Sequence, residues 1–152
     1  ETWNGSSWTE VSDLNTGRGL AGGAGTQTSA LCVVGYTSSP PGVANVESWN
    51  GSSWTEVADA TANIGIGAAG ADNTSVIKFN GGVAPQTNVT ELWNGSSWSN
   101  TTSSSVTGYL VGGSGTTESA IKFGGSTPPA GVKANTEEWT SPTKTTVTFT
   151  VS

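Results

Sequence analysis

The sequence predicts an all-β repeat protein whose unit is a sheet of four short antiparallel strands. The text "WNGSSW" occurs at residues 3–8, 49–54 and 93–98, each time with a glutamate two positions upstream, and a degraded fourth copy begins at Glu137. The equivalent tryptophans, Trp3, Trp49, Trp93 and Trp139, are 46, 44 and 46 residues apart. A period of this size indicates one supersecondary unit that buries its apolar face against its neighbours. No stretch shows helical periodicity with caps.

Each copy of the motif predicts a β-hairpin, because Asn-Gly between two β-favouring runs is a strong signal for a tight I′ turn. In the first copy we expect Thr2-Trp3 and Ser7-Trp8 to be the flanking strands. A two-residue turn places Trp3 opposite Ser6, whereas a loop from Asn4 to Ser7 places Trp3 directly opposite Trp8. Both registers put the two rings on one face. The asparagines and glycines are therefore expected to be structural, namely Asn4, Gly5, Asn50, Gly51, Asn94 and Gly95.

The rest of each unit also favours strands. The segments "SALCVVGY" (29–36), "SVIKFNGG" (75–82) and "SAIKFGG" (119–125) align as one strand that ends at glycine, where the backbone is expected to turn sharply. A strand of small residues precedes each one, at 19–25, 64–70 and 109–115. A loop rich in Pro, Gly and Asn follows each one. Every unit thus offers four strands.

Composition excludes some classes of partner. The chain has 22 Gly, 7 Trp, 11% charged residues and a formal net charge of −6. Its five cations are scattered rather than clustered, which argues against nucleic acid; they are Arg18, Lys78, Lys122, Lys133 and Lys144. No apolar run is long enough to predict a membrane span. Because the chain starts at Glu1 without Met, we expect a processed product or a segment of a longer polypeptide.

The position of Cys32 in its strand is taken by Lys78 and Lys122 in the other two units. An ammonium group on this face predicts that the face is wet. We therefore expect Cys32 to be a half-exposed, inert thiol.

The order of these elements resembles kelch repeats and the related central domain of galactose oxidase. The resemblance is carried by the small-residue strand, the strand ending in Gly-Gly (Gly81-Gly82, Gly124-Gly125), the aromatic that closes the third strand (Trp49, Trp93) and the Trp of the fourth (Trp54, Trp98). It implies a β-propeller. The copper site of the galactose oxidase relatives needs imidazole ligands, and this chain has no His.

This resemblance divides the chain, as a single propeller segment over 1–152, into a half blade at 1–12 and blades at about 17–58, 63–102 and 106–152. That makes fourteen strands, or about three and a half blades, and propellers usually need at least four to close. We expect the missing blades to come from an upstream part of the polypeptide or from other copies of the chain. Residues 1–152 alone are then expected to associate or to fold poorly, because two blade faces stay open.

The repeated E-x-W-N-G-S-S-W-T motif also resembles the sequences of repeat proteins of marine bacteriophage virions. It implies a structural or attachment role in a tail or fibre, located in a virion or outside the cell. The implied partners are other virion proteins or copies of the chain, with a host-surface glycan as a further one. A lectin-like, carbohydrate-binding propeller is the alternative. A glycoside hydrolase using paired carboxylates is a distant alternative.

Catalysis finds little support in the residues. Without His no Ser-His-Asp or Cys-His arrangement can form. Paired carboxylates remain, at Glu137-Glu138 and among the recurring glutamates, which are Glu1, Glu47, Glu91 and Glu137. Residues that recur once per unit are usually structural, so we expect no catalytic residue, no metal site and no cofactor.

The recurring tryptophans have two interpretations. They can pack between neighbouring sheets, while each glutamate accepts hydrogen bonds on its hairpin. Alternatively, exposed rings can present a flat face to a sugar. The candidates are Trp3, Trp8, Trp49, Trp54, Trp93 and Trp98. Of these we expect Trp49, Trp54, Trp93 and Trp98 to be largely buried.

Overall fold

The structure, a computed structural model, describes residues 1–37, 42–61, 67–81, 86–127 and 129–142. Within these ranges the chain forms strands and no helix, so nothing in them is a helix able to cross a membrane. The strands are β1 Thr2–Trp3, β2 Trp8–Thr9, β3 Gly22–Thr26, β4 Ser29–Gly35, β5 Val43–Trp49, β6 Trp54–Val57, β7 Gly67–Asp72, β8 Ser75–Gly81, β9 Thr87–Trp93, β10 Trp98–Thr101, β11 Gly112–Gly115, β12 Ser119–Phe123, β13 Ser126–Thr127, β14 Gly131–Val132 and β15 Thr136–Thr140.

The strands form two complete four-stranded antiparallel sheets. The first sheet has the order β3-β4-β5-β6 and the second has the order β7-β8-β9-β10. A third sheet contains β11-β12-β15, and the small β13-β14 hairpin lies between its last two strands in the chain. The first hairpin, β1-β2, pairs with no further strand in the described ranges. The prediction of an all-β fold built from four-stranded antiparallel units is confirmed.

The apolar core lies between the sheets rather than within one of them. Leu31, Val33 and Val46 of the first sheet form one cluster with Val76 and Trp93 of the second. The second sheet then packs on the third in the same way, through a cluster that contains Ile77, Phe79 and Ala120. Burying a Val, Leu, Ile or Phe side chain fully is worth about 1.5–3 kcal/mol. Every sheet is therefore stabilised chiefly by its neighbours, as the period predicts.

Small residues in the inner strands allow this close approach. The inner strand β7 contacts both β3 and β11. A Cβ atom added to Gly67 would lie 2.3 Å from Val111 Cγ2, and one added to Gly113 would lie 3.0 Å from the ring of Phe79. Neighbouring sheets therefore pack closely at their inner strands because these strands consist of small residues.

The Asn-Gly turn differs from the prediction. Gly5, Gly51 and Gly95 have positive φ, but the preceding asparagines do not, so no I′ turn forms. The loop runs from Asn4 to Ser7, and Trp3 lies directly opposite Trp8, with the same register in β5-β6 and β9-β10. The Asn4 side chain explains the difference, because its Oδ1 accepts hydrogen bonds from the backbone N–H groups of Ser6 and Ser7. Asn50 and Asn94 repeat this arrangement, so all three asparagines and glycines are structural.

The second strand reaches a glycine at its end in the first two sheets and is followed by glycine in the third, as predicted, but in the first two sheets the glycine follows a β-bulge and is still paired with the third strand. Two consecutive residues adopt positive φ there: Asn80-Gly81 in the second sheet and Gly124-Gly125 in the third. In the first sheet the pair is Val34-Gly35, with Val34 at φ 51°. A β-branched residue is a rare occupant of this region, and the pair rather than Gly-Gly itself is the shared feature.

Some predicted elements differ or lie outside the described residues. The inner strands begin at Gly22, Gly67 and Gly112, and among the described residues before them Gly19 forms an isolated bridge with Tyr36 and Tyr109 forms one with Ser126. The loop after the third unit's second strand contains the β13-β14 hairpin, which the sequence did not predict. The expected fourth strand of the last unit falls largely in 143–152, outside the described residues. The same holds for residues 64–66, Gly82 and parts of the Pro/Gly loops at 38–41, 83–85 and 128.

Candidate functional site

A glutamate recurs on the third strand of each sheet and is the most deeply buried of the repeated groups. Glu47 and Glu91 are fully buried, and Glu137 is half-buried. The strand register places Cys32, Lys78 and Lys122 directly opposite these three glutamates. The copy in the first hairpin, Glu1, is exposed.

Each buried glutamate forms an ion pair. Lys78 Nζ lies 2.9 Å from Glu91 Oε2, and Lys122 pairs in the same way with Glu137. In the first sheet, where Cys32 replaces the lysine, the Arg18 guanidinium comes from the segment before β3 and lies 2.7 Å from Glu47 Oε1. A cation therefore meets the carboxylate in all three sheets.

The prediction of a wet face around Cys32 is wrong. Cys32 is only 9% exposed, Lys78 is fully buried and Lys122 is nearly so. The lysines tolerate burial because a carboxylate on the adjacent strand neutralises them, which single-strand alignment does not show. Lys78 also donates to the backbone carbonyl of Asn80, and Lys122 to that of Val106.

The glutamates also bind the segments that lead into each sheet. Glu47 accepts from the backbone N–H groups of Asn15 and Thr16, Glu91 from that of Thr61 and Glu137 from that of Ser105. The expectation that these carboxylates accept hydrogen bonds on their own hairpins is thus wrong: they fix the connection from the preceding unit. Sequence reasoning missed Arg18. The loss of lysine at Cys32 together with an arginine shortly upstream was the available signal.

These contacts favour the ionised form of Glu91 and Glu137. Burial opposes ionisation of Glu91, but the charge of Lys78 and the Thr61 N–H outweigh it and lower the pKa. Burial likewise opposes ionisation of Glu137, yet hydrogen bonds from Lys122 and Ser105 lower its pKa to about 2. A general acid for glycoside hydrolysis needs a raised pKa instead. Glu137 and Glu138 are also successive residues of one strand, so their side chains point to opposite faces.

The tryptophans of the third strands form hydrogen bonds within the same sheets. The indole N–H of Trp49 donates to the carbonyl of Gln27, that of Trp93 to Asn73 and that of Trp139 to Thr117. Each acceptor lies in the turn between the two inner strands of the same sheet. Trp49 and Trp93 are 4% and 3% exposed, which confirms their predicted burial. Trp54 and Trp98 are only half-buried, because they lie on outer strands, so that part of the prediction is wrong.

The tryptophan pair of the first hairpin has the same geometry in a different environment. The Trp3 and Trp8 ring centroids are 5.4 Å apart, against 5.2 Å for Trp49 and Trp54. Trp3 is 45% exposed and Trp8 is 64% exposed. Of the sugar-binding candidates, this pair alone in the described ranges presents both rings to solvent.

Groups suited to metal binding do not come together in the part of the chain that the structure describes. No cluster of three or more His, Cys, Asp or Glu residues is placed there to hold an ion. The described site is therefore a set of buried ion pairs and one exposed aromatic surface.

Comparison with known proteins adds to this geometry. No family model matches the chain, and no curated protein matches it. The solved structure of YjhT, a kelch-repeat β-propeller protein, superposes with a TM-score of 0.67 at 13% identity, over 82% of this chain. The chain has a kelch-like β-propeller fold.

The sheets described above are therefore propeller blades, and β3, β7 and β11 are their inner strands. The chain spans 43% of YjhT, which is less than half of that protein's length. At this identity the likeness shows the fold alone. It transfers no ligand, activity or residue role to this propeller.

Proposed function

We propose that this propeller is a non-enzymatic structural or attachment module of a virion, associated with a phage tail or fibre, that mediates contact with other proteins or with a host surface. One observation carries the contact role: Trp3 and Trp8 form a preformed aromatic surface that stays 45% and 64% exposed. Aromatic side chains are enriched at protein interfaces and among the residues that dominate binding. The virion setting is supported by the resemblance of the repeated "EXWNGSSW" wording to virion repeat proteins.

The non-enzymatic part of the proposal is supported by the repeated side chains. Glu47, Glu91 and Glu137 hold connecting segments, and the indoles of Trp49 and Trp93 hold inner turns. Their recurrence follows from a structural problem that every blade shares. These contacts favour a structural role for the repeated side chains over a catalytic one.

The virion setting is tested by mass spectrometry of purified phage particles that encode the chain. We expect its peptides to copurify with infectious particles at a fixed ratio to known tail proteins, and antibody labelling in electron microscopy to fall on the tail or fibre. Abundant protein in the lysate with none in purified particles would contradict the proposal.

The contact role is tested with a fluorescently labelled chain and intact host cells. We expect the double substitution Trp3→Ser and Trp8→Ser to abolish saturable binding. Leu20→Ser is the matched control, because Leu20 is 52% exposed but lies at the opposite end of its blade from the hairpin loops. Equal loss with the control, or no loss with the double variant, would contradict a contact through this pair.

Carbohydrate binding is the second candidate, and the same exposed pair favours it. The rings are tilted by 44° and present planar apolar area of the kind that stacks on sugars. A glycan array separates the candidates. Saturable binding to a defined glycan that the Trp3→Ser, Trp8→Ser variant loses supports a lectin-like role, whereas cell binding without any glycan signal supports a protein receptor.

A further inference from the structure

The asparagine side chains that precede glycine are chemically the most labile amides of the chain. They are Asn4, Asn50, Asn80 and Asn94. Glycine has no Cβ, so nothing hinders its backbone nitrogen from attacking the amide of the residue before it. Asn80 is only 1% exposed, whereas the other three are exposed in the loops 4–7, 50–53 and 94–97, which we call the NGSS loops. Three labile Asn-Gly steps therefore meet solvent at the same place in the repeated hairpin.

Deamidation at such a step needs no co-reactant other than water. The Gly51 nitrogen attacks Cγ of Asn50 and the new C–N bond closes a succinimide ring. The Cγ–Nδ2 bond breaks, and the amide nitrogen leaves as ammonia together with the proton of the glycine nitrogen. Water then opens the ring. Addition at Cγ gives aspartate with a normal backbone, whereas addition at the backbone carbonyl carbon gives isoaspartate, whose backbone runs through the side-chain carbons.

In the NGSS loops the asparagine amide is held by the two serines beyond the glycine. Asn50 Oδ1 accepts hydrogen bonds from the N–H groups of Ser52 and Ser53 at 2.9 and 3.0 Å, and from the Ser52 hydroxyl at 3.0 Å. The same three bonds occur at Asn4 and Asn94, with lengths of 2.9 to 3.0 Å. Attack by the glycine nitrogen makes Cγ tetrahedral and moves Oδ1, so these bonds must first be loosened.

The flanking strands keep the loop closed. The N–H of Asn50 donates to the carbonyl of Ser53 at 3.3 Å, and Trp49 lies directly opposite Trp54 with ring centroids 5.2 Å apart. An aspartate at position 50 keeps the acceptor oxygen that the serine N–H groups require. Isoaspartate instead lengthens the backbone by one methylene group, which does not fit a loop of this length in this register. The hairpin therefore tolerates one product of deamidation and not the other.

We propose that Asn4, Asn50 and Asn94 are deamidation sites that the folded hairpin protects: the amide is stable while its NGSS loop is closed and forms a succinimide when the loop opens. Prolonged unfolding then introduces isoaspartate, and a hairpin that contains it does not close again. The inference goes beyond the proposed contact role and holds in any setting of the chain.

The test compares the 152-residue chain in buffer with the same chain in urea, at one mildly alkaline pH and one temperature. Peptide mapping by mass spectrometry follows the conversion of each asparagine, and an isoaspartate methyltransferase measures the isoaspartate. We expect the three exposed sites to convert at least about tenfold more slowly in buffer, because tenfold corresponds to about 1.4 kcal/mol, the size of one or two such hydrogen bonds.

Equal rates in buffer and in urea would overturn the inference. Faster conversion in buffer would also overturn it, since the serine N–H groups would then be stabilising the negative charge that develops on Oδ1. After refolding from urea, we expect isoaspartate to be enriched in the fraction that fails to refold. An equal share of isoaspartate in the refolded chain would contradict the predicted loss of the hairpin.

A substitution in one hairpin makes the test specific to its loop. Trp98→Ala removes the ring that packs on Trp93 beside the loop of Asn94, where the ring centroids are 5.3 Å apart. We expect conversion of Asn94 in buffer to rise several-fold and to exceed that of Asn50. Ser99→Ala is the matched control, because Ser99 is an exposed residue of the same strand, and we expect it to leave both rates unchanged. Conversion of Asn94 that does not rise in Trp98→Ala would overturn the protection by the closed hairpin.

Discussion

The guanidinium of Arg18 and the carboxylate of Glu47 lie 2.7 Å apart, both fully buried, although the two residues are in different parts of the blade. In the next two blades the same carboxylate position is neutralised by a lysine from the adjacent strand. The first blade has Cys32 at that lysine position, directly opposite Glu47. Each blade therefore has a cation beside the equivalent glutamate, although in the first blade that cation comes from a different position in the sequence.

We predict that Arg18→Ala destabilises the chain strongly and that adding Cys32→Lys restores much of the loss. Removing one partner of a buried ion pair leaves an uncompensated charge, which costs about 3–5 kcal/mol. A lysine at position 32 can reach Glu47 as Lys78 reaches Glu91. Urea unfolding of the single and double variants measures both effects.

Lys133→Ala is the matched control for this loss of positive charge, because Lys133 forms no ion pair in the described ranges. We expect it to change stability by less than about 0.5 kcal/mol. A double variant no more stable than Arg18→Ala would mean that the two positions are not interchangeable.

Acid should weaken the third blade through Glu137. The pKa of this carboxyl is lowered from 4.5 to about 2 in the folded chain. Because the folded pKa is depressed, the stability from this group is fully present above the unfolded value and is lost as pH falls toward the folded one. We expect the free energy of unfolding to fall between about pH 5 and about pH 2, and to fall less in Glu137→Gln. Identical pH profiles for the two proteins would contradict the coupling.

The hairpin glycines should differ in their sensitivity to substitution. Gly5 and Gly95 have nearly the same φ, +98° and +93°, so alanine is strained at either position by about 1–2 kcal/mol. An added Cβ at Gly95 would also lie 3.3 Å from Thr74 Cβ, whereas nothing lies within 4 Å at Gly5. We expect Gly95→Ala to lower the urea midpoint and Gly5→Ala to leave it nearly unchanged, since the first hairpin is not part of a complete sheet. The reverse order would be evidence against this arrangement.

The 152-residue chain should self-associate in solution. Trp3, Trp8 and Phe123 are exposed to 45%, 64% and 45%, whereas Phe79, the equivalent of Phe123 in the second blade, is 2% exposed under its neighbour. Exposed apolar surface of this kind drives association. Sedimentation velocity over a range of concentrations is the measurement. A cooperatively melting monomer at every concentration would reject this prediction.

The sequence predicts the blades well because their signals are local and repeated. The spacing of the tryptophans and the small-residue strands gives the four-stranded unit, and the Asn4–Ser7 register was one of the two alternatives that the motif left open. The burial of Lys78 was not predictable from its own strand, because it depends on Glu91 in the neighbouring strand. Likewise, Arg18 takes the role of the lysine in the first blade, although it lies before β3 and not on the second strand. The part that sequence reasoning missed consists of pairings between elements that are distant along the chain.

The recurring Trp and Glu side chains complete the blades, whereas the Trp3 indole N–H and the Glu1 carboxylate of the first hairpin have no equivalent hydrogen-bond or ion-pair partner among the described residues. Exchange of the indole protons with solvent, resolved by NMR, tests it most directly. We expect slow exchange for Trp49, Trp93 and Trp139, whose indoles donate to turn carbonyls, and fast exchange for Trp3. Protection of Trp3 equal to that of Trp93, or fast exchange of Trp49 and Trp93, would contradict it.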